Sequence, residues 1–319
     1  MGKKIVIGQR TDPNIVEYLR HSGDVTVVTG NDANELLAAC RGAVCLQIGT
    51  WAKITAEFMD AAGTLKVVSR TGVGVDSVDV DAATKRGILV LNTPQANAQS
   101  VAEHALSQLL ALSKRIVYMD ANVRAGNFQA RREYKSVELQ GKTLGVLGYG
   151  NIGRRMAQMA HAALGMPVLA YDPFITKAPD YVTLCASIDE VLTGCDALSV
   201  HLPLLPDTRN LLNAEKLALL KPAAYLICTS RGGIVDEDAL AAALIGNRLA
   251  GAALDVFEPE PPKLEKPLFS APNLIVSPHC AGLTKESVER VAMTAAEGIA
   301  DYLAGKQPAF IVNRRGLGL

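Results

Sequence analysis

The sequence predicts an α/β protein of two parallel-sheet domains. Three observations carry that prediction. Short, mostly β-branched runs alternate with amphipathic stretches over residues 4–91. Residues 142–173, KTLGVLGYGNIGRRMAQMAHAALGMPVLAYDP, read as strand, glycine turn, helix, strand and acid. The alternation then resumes beyond Asp172 and continues to about residue 276. Alternating strands and helices specify parallel sheets with helices on both faces.

In the first part, strands are expected at residues 4–7, 25–28, 44–48, 65–69 and 88–91, with helices such as 14–20 and 34–40 between them. RTGVGVDSVD, residues 70–79, has glycines at 72 and 74 but lacks a third. It fits either a plain strand-end loop or a loop of amides with Arg70 facing an anion. Pro94 ends this unit, because proline cannot enter a central strand. Ser100-Val-Ala-Glu103 is a capping-box pattern ahead of an apolar helix over 101–115, with His104 as a packing or cap histidine. Residues 121–139 are polar, carry Arg124, Arg131 and Arg132, and read as an irregular arm.

In residues 142–173, Gly148, Gly150 and Gly153 form G-x-G-x-x-G between a strand and a helix, and Asp172 follows 19 residues after Gly153. Gly148 permits the tight turn, Gly150 lets backbone approach a pyrophosphate at the helix amides, and Gly153 lets helix and strand pack closely. Asp172 suits a ribose diol and repels a 2′-phosphate. Pro173 and Phe174 follow it with no arginine beside the acid, so NAD is expected over NADP.

Beyond it, helices are expected at 188–192, 214–219 and 237–245, and strands at 197–200, 225–228, 252–256 and 275–276. Asp172, His201, Arg231, Asp255 and His279 each fall at or just after a strand's carboxyl end, where ligands bind in open α/β sheets. Thr284 is expected to cap a last helix over 285–303, stopped at Gly305. That helix carries the chain back to the first domain, which is then discontinuous. The expected division is 1–97 with 287–319 for one domain and 98–286 for the other.

Lys+Arg and Asp+Glu both number 32, so formal net charge is zero and neither nucleic acid nor an anionic membrane is expected as a partner. The opening MGKKIVIGQR lacks the long apolar core of a signal peptide, and no apolar run reaches spanning length. The six cysteines form no CxxC pair and read as reduced thiols of a cytoplasmic protein. The five histidines are scattered without HExxH or a Cys/His cluster, so no metal is expected.

Three residues form a reaction set. Arg231 can fork onto a carboxylate, and His279 can exchange a proton near neutral pH. A glutamate of the Asp255-Val-Phe-Glu-Pro-Glu-Pro run can hold the other imidazole N–H. Spacing alone leaves Glu258 and Glu260 both open. Singly, Arg231 also fits a surface or cap arginine and His279 a satisfied core histidine. Together beside nicotinamide they fit hydride transfer at a small 2-hydroxy acid.

The sequence resembles the D-isomer-specific 2-hydroxyacid dehydrogenases over nearly its whole length. The likeness is densest at 72–94 (GVGVDSVDVDAATKRGILVLNTP), 141–153 (GKTLGVLGYGNIG), 230–240 (SRGGIVDEDAL), 250–262 (AGAALDVFEPEPP) and 277–282 (SPHCAG). It implies two Rossmann-like domains, the first flavodoxin-like. It implies catalytic Arg231, Glu260 and His279, with Glu260 chosen over Glu258. It implies NAD contacts at Gly148, Gly150, Asn151, Ile152, Gly153, Asp172, Leu202, Thr229, Asp255 and Gly282, with Asp255 near the nicotinamide amide. Substrate contacts are implied at Arg70, Val73 and Gly74. Within the family the phosphoglycerate dehydrogenases are most similar, so 3-phosphoglycerate is the leading substrate. Gly49 stands where those enzymes carry a substrate arginine, and Arg131 and Arg132 lie near a third basic position without a clean match. Glyoxylate, hydroxypyruvate or a sulfonated hydroxy acid are the alternatives. The resemblance implies a homodimer through the helix from Val101 and the arm after it. The chain stops before the C-terminal regulatory domain found in many phosphoglycerate dehydrogenases, so serine feedback through such a domain is not expected. The rival from another class is an NAD(H)-sensing corepressor-like interaction protein, which keeps the same three residues.

Overall fold

Apolar runs bounded by aspartate and threonine caps set the first unit. The computed structural model describes residues 3–133 and 135–319, so Met1 and Gly2 of the opening segment lie outside the described residues. Strands Lys4–Gly8 (β1), Asp24–Val27 (β2), Cys45–Ile48 (β3), Val67–Arg70 (β4) and Leu89–Leu91 (β5) pair in parallel in the order β2-β1-β3-β4-β5. Helices Pro13–Arg20 (α1), Ala33–Cys40 (α2), Ala56–Ala62 (α3) and Val80–Lys85 (α4) connect them. Their N-caps are Asp12, Asp32, Thr55 and Asp79, whose side chains accept first-turn amides. In β1, Ile5 and Ile7 join one core layer while Val6 joins the other. A strand buried on both faces needs this continuous apolar run. The order is that of flavodoxin-like sheets, which reverses between β1 and β3.

The second unit begins with Ala98–Lys114 (α5) and Ile116–Arg124 (α6). It continues through Leu144–Leu147 (β6), Asn151–Leu164 (α7), Val168–Tyr171 (β7), Val182–Leu184 (β8), Ile188–Gly194 (α8) and Ala197–Val200 (β9). Ala214–Leu219 (α9), Tyr225–Cys228 (β10), Glu237–Ile245 (α10), Gly251–Leu254 (β11) and Leu274–Val276 (β12) complete it. The seven strands are parallel in the order β12-β11-β10-β9-β6-β7-β8, which reverses between β6 and β9. That reversal is the dinucleotide crevice of a Rossmann sheet.

The last helix, Lys285–Leu303 (α11), starts at Thr284, whose hydroxyl accepts the Ser287 amide at 3.2 Å. Ala292, Ala296 and Ile299 join the core of the first sheet. The Gln47 and Ser69 side chains donate to the carbonyls of Ala292 and Ala295. The chain accordingly divides into residues 1–97 with Leu283–Leu319 and Ala98–Gly282. The second crossing falls at Leu283, ahead of the expected 287, because Thr284 and its whole helix pack with the first unit.

Three sequence readings change. Ser100 does not cap α5: the helix starts at Ala98, and Ser100 is buried within its first turn. The arm is not irregular throughout, since α6 and a 3-10 turn at Phe128–Arg132 occupy part of it. Arg115, in the left-handed region at φ 51°, separates α6 from α5. The short β8 was not expected; it has three residues and an exposed Thr183, too little apolar pattern to read as a strand.

Candidate functional site: a dinucleotide edge and a histidine–glutamate pair

The glycine turn after β6 has the geometry that its spacing requires. Gly148 has φ +88°, and a Cβ there would lie 2.7 Å from the His201 carbonyl at the end of β9. A Cβ on Gly153 would lie 2.1 Å from the Gly148 carbonyl, so any side chain would push α7 off the turn. Gly150 differs, because nothing lies within 4 Å of its Cβ direction. Gly150 is the N-cap of α7 and supplies no side-chain cap, so the positive end of the helix lies next to this glycine's open side. Asp172 lies just past β7. Its carboxylate accepts the Tyr149 amide at 2.9 Å and the Phe174 amide at 3.0 Å. Those bonds fix a carboxylate with acceptor capacity to spare, as a ribose diol requires.

Two buried polar atoms on this edge have no protein partner, Nδ1 of His201 after β9 and Oγ1 of Thr229 after β10. Orphaned buried groups beside an open, uncapped helix end fit a dinucleotide. Burial pushes the His201 imidazole down to about 4, so it is neutral at neutral pH and does not serve as a proton donor there. Its Nε2 lies 2.8 Å from the Ser199 hydroxyl. Leu202 is buried beside it and Gly282 closes the second unit. Gly150→Ala is expected to fold like the wild type and to lose NAD affinity by about tenfold or more, since the methyl enters the pyrophosphate's space. Calorimetric titration with NADH, alongside a melting curve, measures both.

Arg231, Glu260 and His279 follow β10, β11 and β12, three neighbouring strands on one sheet edge. Nδ1 of His279 lies 2.8 Å from Oε2 of Glu260. The other Glu260 oxygen accepts the Phe257 amide at 3.1 Å, which holds the carboxylate in place. Glu258 is engaged elsewhere. Its carboxylate takes Arg209 at 2.7 Å and its amide donates to Glu237. The choice left open by spacing falls on Glu260. His279 has φ 52°, an uncommon conformation for a side-chain-bearing residue. Its amide donates to the Asp255 carbonyl at 2.7 Å and to the Ser277 carbonyl at 3.1 Å. Gly232 joins the first two loops, because a Cβ there would sit 1.9 Å from the Phe257 carbonyl oxygen.

Asp255 is fully buried. Its carboxylate accepts the Ser277 hydroxyl at 2.5 Å and the amides of Cys280 and Ala281 at 3.0 and 2.9 Å. It therefore anchors the loop that carries His279. Side-chain donors of His104, Asp255 and Cys280 lie within 4.8 Å of one another, but these hydrogen bonds already engage Asp255. His104 and Ser277 were missed as parts of this region; only the topology brings α5 to β12. The cysteines are free, and burial pushes Cys40, Cys45 and Cys195 up to about 12, so these thiols stay protonated.

In the first unit, Arg70 ends β4, with Nη1 donating to the Thr71 carbonyl. The Val73 carbonyl accepts the Asn92 side chain at 2.8 Å, and Gly74 follows in the same loop. At Gly49, after β3, a Cβ would lie 2.7 Å from Oε1 of Gln9. Thr71 donates to that same oxygen at 2.9 Å. Gln9 thus fills the space over Gly49 with a neutral amide. Among the described residues, no helix is long and apolar enough to cross a membrane.

Comparison with known proteins gives the family of the chain. The family profile for the D-isomer specific 2-hydroxyacid dehydrogenase NAD binding domain matches residues 106–281. A D-3-phosphoglycerate dehydrogenase of Mycobacterium bovis is 41% identical over 314 residues, which is 98% of this chain and 59% of that protein. The chain thus spans about three-fifths of the length of such curated relatives. A solved Thermus thermophilus protein is 37% identical with TM-score 0.89, covering 97% of this chain and 99% of its own. An NADPH-dependent glyoxylate/hydroxypyruvate reductase from Sinorhizobium meliloti is 28% identical with TM-score 0.86, covering 97% of each chain.

Proposed function

The chain belongs to the D-isomer specific 2-hydroxyacid dehydrogenases, and from that premise we propose that it interconverts a small D-2-hydroxy acid and its 2-keto acid with NAD(H). The observation that carries the proposal is the 2.8 Å His279–Glu260 pair on the same sheet edge as Arg231 and the glycine turn. NAD, when bound, supplies the hydride acceptor. Gly148, Gly150, Gly153, Asp172 and Thr229 would hold it. Glu260 keeps the His279 proton on Nδ1, which leaves Nε2 as the base for the substrate hydroxyl. In the reverse direction protonated His279 donates from Nε2 to the carbonyl oxygen, and Glu260 stabilises the imidazolium. Arg231 forks onto the substrate carboxylate and orients C2.

3-Phosphoglycerate is the leading substrate on overall similarity. A second reading rests on Gln9 over Gly49. A neutral amide there favours a smaller acid such as glyoxylate or hydroxypyruvate over a phosphorylated one. An NADH-oxidation screen with glyoxylate, hydroxypyruvate and phosphohydroxypyruvate tests both readings. Turnover of any of them supports the enzyme, and their kcat/KM ratios choose between the substrates. Tight NADH binding without turnover of any 2-keto acid would overturn the proposal in favour of a nucleotide-sensing interaction protein.

The proposal includes a homodimer in the cytoplasm. No residue of α6 is buried, and Ile116, Val117, Val123 and Phe128 are each more than half exposed. Such an apolar face on one short segment calls for a cover. Sedimentation at micromolar concentration is expected to give twice the chain mass of 33.8 kDa; a monomer would refute the dimer.

A further inference from the structure

The mechanism requires His279 to stay in place, yet its loop sits in an uncommon backbone conformation, φ 52°. Holding it there costs on the order of 1–3 kcal/mol unless neighbouring bonds over-determine it. Those bonds converge on Asp255. Its carbonyl accepts the His279 amide, and its carboxylate accepts the next two amides, Cys280 and Ala281. A buried aspartate that fixes three consecutive amides, one through its carbonyl and two through its carboxylate, must itself be fixed.

The fixing comes from α5. Ser277 donates its only hydroxyl proton to Asp255 at 2.5 Å. Its oxygen is then an acceptor, and two donors reach it: Nε2 of His104 at 3.0 Å and Nε2 of Gln108 at 3.2 Å. His104 and Gln108 are four residues apart on α5 and so share one helix face. Both oxygen lone pairs of Ser277 and its proton are thereby used. The proton balance also sets the neutral His104 tautomer with hydrogen on Nε2. Burial leaves this chain few competing partners, since Gln108 and Asp255 are shielded from solvent.

We propose that His104 and Gln108 are positioning residues for the dehydrogenase reaction, acting through Ser277 and Asp255 to hold the His279 loop. The inference rests on the reading of His279 as the acid–base group. Both side chains reach Ser277, not the His279–Glu260 pair itself. What they supply is a donor pair at Ser277, so a non-titrating donor of matching reach in place of His104 serves equally.

The test uses the full chain labelled with ¹³C at histidine Cε1, with the His279 peak identified by its absence in His279→Asn. His104→Leu is expected to displace the His279 peak and to lower kcat about tenfold, as loss of one hydrogen bond to a charged network does. His104→Gln, which keeps a donor near the Nε2 position, is expected to restore both. A His279 peak left at its wild-type position in His104→Leu overturns the proposal, as does a His104→Gln peak displaced as far as that of His104→Leu. If His104→Leu fails to fold, Ser277→Ala is read on the same peak with the same criterion. Should the wild type turn over no 2-keto acid, the dehydrogenase reading fails, while the peak comparison still decides whether His104 and Gln108 hold the His279 loop.

Discussion

His279→Ala loses about 10²–10⁴-fold in kcat, the range that one positioned acid–base group supplies, and keeps its NADH affinity. The expectation follows from where the side chain sits. His279 projects from the loop after β12 and spends Nδ1 on Glu260 at 2.8 Å. The backbone of that loop is held by Asp255 through amides, which alanine retains. The glycine turn and Asp172 lie on other strands and do not depend on the imidazole. Stopped-flow kinetics and NADH fluorescence titration measure the two quantities separately. Loss of NADH affinity and of the folded state in parallel with turnover would mean that His279 is a core histidine.

The sheet edge was legible because its signals are local. A glycine turn, an acid after a strand and a capped helix each lie within one short window, and the apolar runs that bury β1, β3, β6 and β9 are continuous. What needed coordinates was long-range or aperiodic. Glu258 and Glu260 are both exposed, proline-flanked acids in a loop without a period, and nothing in spacing says that Arg209 claims the first. Ser100 and Glu103 match a capping box, but the turn at residues 94–97 starts α5 three residues earlier and buries the serine. Asp255 was visible as a strand-end acid expected near the nicotinamide. Its full burial and its four bonds to the 277–281 segment were not visible, because its partners come from a different strand end. Likewise Gly49 was seen as a missing arginine, and only the fold brings Gln9 over it.

Gly232→Ala is expected to damage activity and stability together. The residue directly follows Arg231, and its Cβ direction runs into backbone: the Phe257 oxygen at 1.9 Å, its carbon at 2.2 Å and the Glu258 nitrogen at 2.9 Å. A flexible side chain could swing aside, but these atoms begin the loop that carries Glu260. The loop after β10 and the loop after β11 must therefore separate. Forcing a methyl into packed backbone costs about 1–3 kcal/mol, and each kcal/mol lowers Tm by roughly 2–4 °C in a domain of this size. Activity suffers more, because Arg231 and Glu260 move in opposite directions, and a misplacement of about 1 Å costs on the order of 10²-fold. Gly150→Ala provides the internal contrast, since its methyl meets no protein atom within 4 Å. Melting curves and kcat measured on both variants separate the cases. A Gly232→Ala protein with wild-type Tm and kcat would mean that the two loops are not joined at this glycine, and that Arg231 and Glu260 are positioned independently.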